Sequence, residues 1–507
     1  MKRILVFISA LLLFTGIFAK WDMIWSDGND FHITATNFGV IGHNFETGNL
    51  GGYWPSGYPE ENYIYGSGIW FAGLIDSITL ANDTLTDTLV STGYRPSSGI
   101  SEFCPGDGSD APEYDNELER VYNSRDDWPP MREDSTVWFD STFSGYDTYC
   151  YMSDKDPAQH FTPESLLMGI TVKQWTYQWT TGLLNDVVFL RHVIKNENED
   201  SLDIHDCFYA FAVDADIGNE SSTTGFNDLL GFIDTMTVDY MDASDTLMQL
   251  NTAYQFQLEP ETTWVHEPRI ISLVMLETPI TEQLVDLYHD GSFYITPFSQ
   301  LGMTSLCRMT LATDPSTDEG RYQMHAGYDY LTFDPSNPEE SYKPFPLQGD
   351  WGNKPSGYPG TAEDSTRADD KRFMISSGPF DLDYGDSTIV TIAFVINQDP
   401  SDIVPNTLAL MEFWETGVLG IEESKNTRNK IIMNNIITDS RLSLSVNGSN
   451  HYYNINLYDI KGRKVTHIFD GNVSGERDIA KELDMPAGIY FVRDEHSGFC
   501  EKLTLIE

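Results

Sequence analysis

Basic side chains are scarce in this chain: 30 Lys and Arg stand against 78 Asp and Glu over 507 residues, a formal net charge of −48. Such a field repels phosphate backbones and anionic lipid, which argues against nucleic-acid binding and peripheral membrane attachment. Cysteine is also thin. The five residues Cys104, Cys150, Cys207, Cys307 and Cys500 include no Cys-x-x-Cys pair, so neither a zinc ribbon nor a thioredoxin-type redox site is supported. In an oxidising compartment the first four could close up to two bridges, with Cys500 the odd one out. After the opening segment no run approaches roughly eighteen apolar residues, so no transmembrane segment is expected in the mature chain. His-Glu-x-x-His, Gly-x-Ser-x-Gly and Gly-Lys-Ser/Thr patterns are missing, which removes the common routes to metalloprotease, hydrolase and phosphate-loop chemistry. His160, His192, His205 and His266 are scattered without metal-ligand spacing.

What is present points to a folded, exported chain. Aromatics make up 13% and hydrophobics 40% of the residues, enough for sizeable cores. Lys2 and Arg3, then Ile4 to Phe14, then Gly16 to Ala19, have the charged, apolar and small-residue order of a secretory signal peptide over 1–19. A β-rich body is expected over 20–421, a linker over 422–438 and a separate tail over 439–507. The tail holds 8 basic and 11 acidic side chains, which with Lys2 and Arg3 leaves 20 against 67 in the body and linker together. The acidity is therefore a property of the body. Either it attracts divalent cations or it is a solvated face that maintains solubility.

Short alternating runs broken by Gly, Asn, Asp and Pro predict an all-β fold, with a large sandwich-like body followed by a small immunoglobulin-like sandwich. Ile69–Ile75 and Asp87–Val90 read as neighbouring strands. From Tyr94 to Asp134 the chain is polar and Pro-rich, a long loop region of the kind that carries function. In Lys173–Trp179 the period of two puts Trp175, Tyr177 and Trp179 on one face, and Gln174, Thr176 and Gln178 on the other. Aromatics at strand spacing are expected in a core. Asp186–Asn196 and Cys207–Asp214 should continue from that strand as a meander in one sheet. A second block, Arg372–Asn397, contains the β-branched run Ser387–Ile396. One helix is expected from near Asn406, behind Pro405, to Gly417.

The best constellation for ligand chemistry is Asp214, Asp216, Asn227, Asp228 and Asp234. Asp214 and Asp216 share a side at a strand exit, and the Gly- and Ser-rich loop to Asn227 could fold back to add oxygens. Calcium takes six to eight hard oxygen ligands on irregular loops, so calcium is the expected cofactor. The spacing is not that of an EF-hand, and an Asx-rich turn capping the strand would use the same residues. Among aromatics, Tyr53, Trp54 and Tyr58, set among Gly and Pro, are the better candidates for stacking on a glycan ligand.

In the tail, Leu457-Tyr458-Asp459 leads through Ile460 and Lys461 to Gly462, a hairpin turn flanked by strands Tyr452–Tyr458 and Arg463–Phe469. Pro486-Ala487-Gly488 is a second turn, placed before the strand Ile489–Arg493 and Tyr490, and Lys502 lies close to the end. This combination resembles the type A C-terminal sorting domain of cargo of the type IX secretion system. The resemblance implies passage through the periplasm and recognition of the folded tail by outer-membrane machinery. Release, or attachment to the outer cell surface, would follow. Leu457, Tyr458, Asp459, Gly462, Pro486, Gly488, Tyr490 and Lys502 carry that implication. The runs Ile69–Leu74, Asp214–Gly218 and Arg372–Phe380 resemble those of secreted β-rich proteins bearing the same tail, a likeness of fold more than of activity. The body is then expected to be a non-enzymatic structural or binding module. The alternative is an extracellular polysaccharide-active hydrolase with its site in the Tyr94–Asp134 loops.

Overall fold

The computed structural model describes residues 21–78, 84–95, 101–106, 120–131, 141–160, 166–218, 227–240, 243–257, 263–280, 285–289, 292–296, 300–309, 315–345, 354–417, 429–433, 436–437, 441–459, 463–483, 485–486, 488–494 and 500–505. The chain divides into two compact units, Met1–Asp239 with Ala243–Val404, and Tyr240–Asp242 with Pro405–Glu507. Both are built mainly of antiparallel sheet, as the alternating sequence predicts; in the second, Ile436–Ile437 pairs in parallel with Cys500–Leu505.

Among the described residues the first unit holds two ten-stranded sheets. In the first sheet Ile204–Asp214 is central, paired on one side with Gly66–Ile78 and on the other with Arg372–Leu382. In the second, Val187–Asn196 lies between Ile170–Gln178 and Ser387–Asn397. Ile33, Phe71 and Phe211 from the first sheet join Leu190, Ile392 and Phe394 from the second in one buried cluster. Phe211 meets Phe394 edge-on at 5.9 Å. Each such ring removes enough apolar area from water to stabilise the fold by about 1.5–3 kcal/mol.

The expected meander is not formed. Val187–Asn196 stays with Ile170–Gln178, but the next strand, Ile204–Asp214, crosses to the opposite sheet. Arg372–Leu382 and Ser387–Asn397 are split in the same way. Two arches therefore bridge the sheets side by side. They are tied by Asn196, whose backbone N–H donates to the Asp386 carbonyl at 3.0 Å and whose carbonyl accepts from Gly385 at 2.9 Å. Periodicity gives a strand and its faces, while sheet membership depends on long-range pairing.

The face assignment of Ile170–Gln178 is also corrected. Gln174, Thr176 and Gln178 point between the sheets, and Trp175, Tyr177 and Trp179 line the outer face with Tyr149 and Phe143. The polar face can be buried because each group has a partner. Gln178 donates to Asn29 Oδ1 and the Phe31 carbonyl, both at 2.7 Å, and accepts from Ser26 Oγ and Gly28 N, both at 2.8 Å.

The outer face of the first sheet is covered by the helix Asp318–His325. Its Met324 packs with Trp70, Ala72, Ala210 and Ala212, where small side chains let the helix approach. Thr317 caps this helix by accepting from Gly320 N at 3.2 Å. The helix expected behind Pro405 spans Ile403–Thr416 and starts slightly earlier than read. Its first turn accommodates the proline, and Gly417 ends it at φ 72°.

No disulfide joins Cys104, Cys150, Cys207 and Cys307. Cys207 and Cys307 are separated by the whole Arg372–Leu382 strand, opposite Phe380 and Met374 respectively. Two strand spacings, about 9–10 Å, exceed what a disulfide spans. Cys104 and Cys150 instead donate to the Ser153 and Thr36 carbonyls, each at 3.3 Å. Among the described residues no helix is long and apolar enough to cross a membrane.

The second unit is organised by two long antiparallel strands, Arg441–Asp459 and Lys464–Glu482. Register shifts near Ser449 and Ile455 interrupt their pairing. Across the first shift the inward positions change from Leu442, Leu444 and Val446 to Tyr453, Ile455 and Leu457, as an extra residue requires when side chains alternate. These residues, with Tyr490, Val492 and Leu503, form a core separate from that of the body.

Candidate functional site

Strand Ile204–Asp214 ends with Asp214 paired between Gly66 and Arg372. Its Oδ2 accepts from Arg372 Nε and from Tyr94 Oη, both at 2.8 Å. Tyr94 lies flat over Gly66 because no side chain stands there: a Cβ would fall 2.3 Å from its ring. Arg372 also donates to Asp370 Oδ2 at 3.1 Å. Asp214, Asp216 and Asp370 each offer an oxygen, and these oxygens lie within 4.8 Å of one another.

The opposite sheet supplies the other wall. Asp228 opens the strand Asp228–Tyr240, and its Oδ2 accepts from Ile217 N at 3.3 Å and from Gln255 Nε2 at 2.7 Å. Gln255 Nε2 also donates to the Ala215 carbonyl. The Asp228 carbonyl accepts from Asp369 N at 3.2 Å, which brings the 369–370 segment to the same place. Burial raises the carboxyl pKa of Asp228 well above the usual range, and the charges of Asp216 and Asp370 raise it further. Burial likewise raises Asp214, to about 6, with Arg372 and Tyr94 opposing.

Of the residues read as candidate ligands, Asp214 and Asp216 are brought together, while Asp228 is not in that cluster and bonds Ile217 N next to it. Asn227 adjoins Asp228 and is partly buried. Asp234 is buried six residues further along the strand, roughly 20 Å away at strand rise, and does not join the cluster. Sequence reasoning missed Asp370. Its signal was the acidic pair Asp369-Asp370 directly before the strand that pairs with Asp214.

A second polar site lies at the other candidate aromatics. Trp54 is buried and donates Nε1–H to Asp186 Oδ1 at 2.7 Å, while the Tyr53 hydroxyl meets His32 Nδ1 at 2.7 Å. Tyr58 packs edge-on to His266 at 4.8 Å. Glu61, fully buried, accepts from the backbone of Val265 and His266 and from His266 Nδ1 at 2.9 Å. A carboxylate only accepts, so the proton sits on Nδ1 and Nε2 carries the lone pair in the neutral ring. The Tyr94–Asp134 loops fall partly outside the described residues.

In the tail, the separated motif segments meet. Asp459 is the register partner of Tyr490, Tyr458 of Phe491 and Leu457 of Val492, while Phe491 on its other side pairs with Lys502. Tyr490 Oη donates to the Pro486 carbonyl at 2.8 Å, and Gly488 pairs with Leu505. Gly462 lies outside the described residues.

No family model matches this chain, and no curated protein does. Among solved structures it is similar to a polysaccharide lyase at 7% identity and TM-score 0.24, covering 96% of this chain but 46% of the lyase, under half its length. It is also similar to a putative aldose 1-epimerase of Escherichia coli K12 at 8% identity and TM-score 0.24, covering 75% of this chain and 99% of that one.

Proposed function

We propose that this is an exported protein whose terminal unit is a type IX secretion address and whose body is a non-enzymatic structural or binding module of the cell surface. The observation that supports it is the meeting of the three motif segments. Leu457-Tyr458-Asp459, Gly488–Tyr490 and Lys502 occupy adjacent strands of one small sheet with its own core. Outer-membrane machinery that recognises folded cargo would need such a self-contained element. Deleting 439–507 should retain the body in the periplasm. Surface delivery of the truncated chain would reject the export reading.

A polysaccharide-active body is the second reading, favoured by the Glu61–His266 pair beside Trp54 and Tyr58. An imidazole oriented through Nδ1 next to aromatic side chains is suited to proton transfer on a sugar. A polysaccharide-release assay that is positive for the native chain and lost in His266→Ala would support it.

A further inference from the structure

We propose that Asp214, Asp216 and Asp370 hold one calcium ion, at the place where Asp228 of the facing sheet bonds the adjoining Ile217 and Asp369 amides. The inference does not depend on the export reading. Its first support is composition: three carboxylates converge, and Arg372 bonds two of them. Lys371 turns instead to Glu363, at 3.4 Å. The second support is independent of the clustering. Asp214 and Asp228 are fully buried, yet among the described residues Oδ1 of each has no hydrogen-bond partner, and neither do Asp370 Oδ1 and Gln255 Oε1. Leaving a buried acceptor unmatched costs about 1–3 kcal/mol, more when it is charged, so several unmatched oxygens in one place call for a cation.

The donor chemistry selects the ion. Two oxygens sharing calcium at 2.3–2.6 Å can stand up to about 5 Å apart, which the spread among Asp214, Asp216 and Asp370 satisfies. Magnesium demands strict octahedral geometry at 2.0–2.1 Å and prefers to keep its waters. Hard oxygen donors without His or Cys disfavour zinc and copper.

The test uses the mature chain stripped of metal and titrated with calcium by calorimetry and thermal melting. One site should saturate, and melting should rise by about 3 °C or more at a hundredfold excess over Kd. Magnesium at equal concentration should give a smaller shift. Terbium should bind in calcium's place and show luminescence that calcium quenches. Asp216→Asn and Asp370→Asn should each weaken binding at least tenfold while far-UV circular dichroism stays native. Asp383→Asn, on a loop elsewhere, should bind as the native chain does. Absence of saturable binding up to millimolar calcium would overturn the proposal. So would native affinity in the folded Asp216 and Asp370 variants, since the ion would then sit elsewhere on the acidic surface.

Discussion

Asn196 and Leu382 belong to different sheets and are joined directly: the Asn196 side chain donates to the Leu382 carbonyl at 3.0 Å and to the Leu202 carbonyl at 2.9 Å. One amide thus fastens both arches where the chain changes sheets. Its Oδ1 accepts from Asn198 N at 3.1 Å. Asn196→Ala leaves these groups unmatched and should lower the stability of the body by about 2–4 kcal/mol, read as a lower urea midpoint at unchanged slope.

His192 gives the body an acid-labile centre. It is fully buried, with Nε2 at 3.1 Å from Gln174 Oε1 and Nδ1 at 3.0 Å from Tyr209 Oη. Gln174 donates through its own amide to Thr36, so its oxygen accepts and His192 carries the proton on Nε2. Burial lowers the His192 pKa to about 3, below the ordinary value of 6.5. The unfolded chain then binds the proton first. The contribution to stability is complete above pH 6.5 and is lost as pH falls towards 3. Urea unfolding from pH 7 to pH 4 should show this decline, a few kcal/mol at most, and His192→Gln should flatten it. An unchanged slope in that variant would assign the acid sensitivity to other groups.

Gly66 makes room for Tyr94 over the carboxylate cluster. Gly66→Ala should displace the ring and break its bond to Asp214, lowering stability by about 1–3 kcal/mol in calorimetric melts. Tyr94→Phe removes the bond but keeps the ring, so it should cost less than Gly66→Ala.

The terminal core can be tested separately. Leu457 is fully buried in the cluster of the second unit. Leu457→Ala should destabilise that unit by about 2–5 kcal/mol, and hydrogen exchange should report faster opening there with protection in 187–214 unchanged.

The strands were legible where apolar and β-branched residues ran between turn residues, as at Ile69–Ile75 and Ser387–Ile396, and so were the tail strands Tyr452–Tyr458 and Ile489–Arg493. The inward side of Ile170–Gln178 was not, because apolarity normally decides it. Here the choice belongs to Ser26 and Thr36 on another sheet and Asn29 between their strands, which accept or donate the amide bonds. Asp370 escaped for a related reason. It approaches Asp214 only because Arg372 is the register partner of Asp214 on a distant strand. The Asp318–His325 helix was hidden by its brevity and by Gly320, although the Thr317 cap and the acidic first turn were visible signals.

Two greasy faces can shear past one another at small cost, but the Gln178 amide uses its full bonding capacity at a single offset of the sheets. A slip of one residue would break those bonds together. The sandwich therefore has a latch against sliding, and tension along the strands would load that latch before the apolar interior gave way.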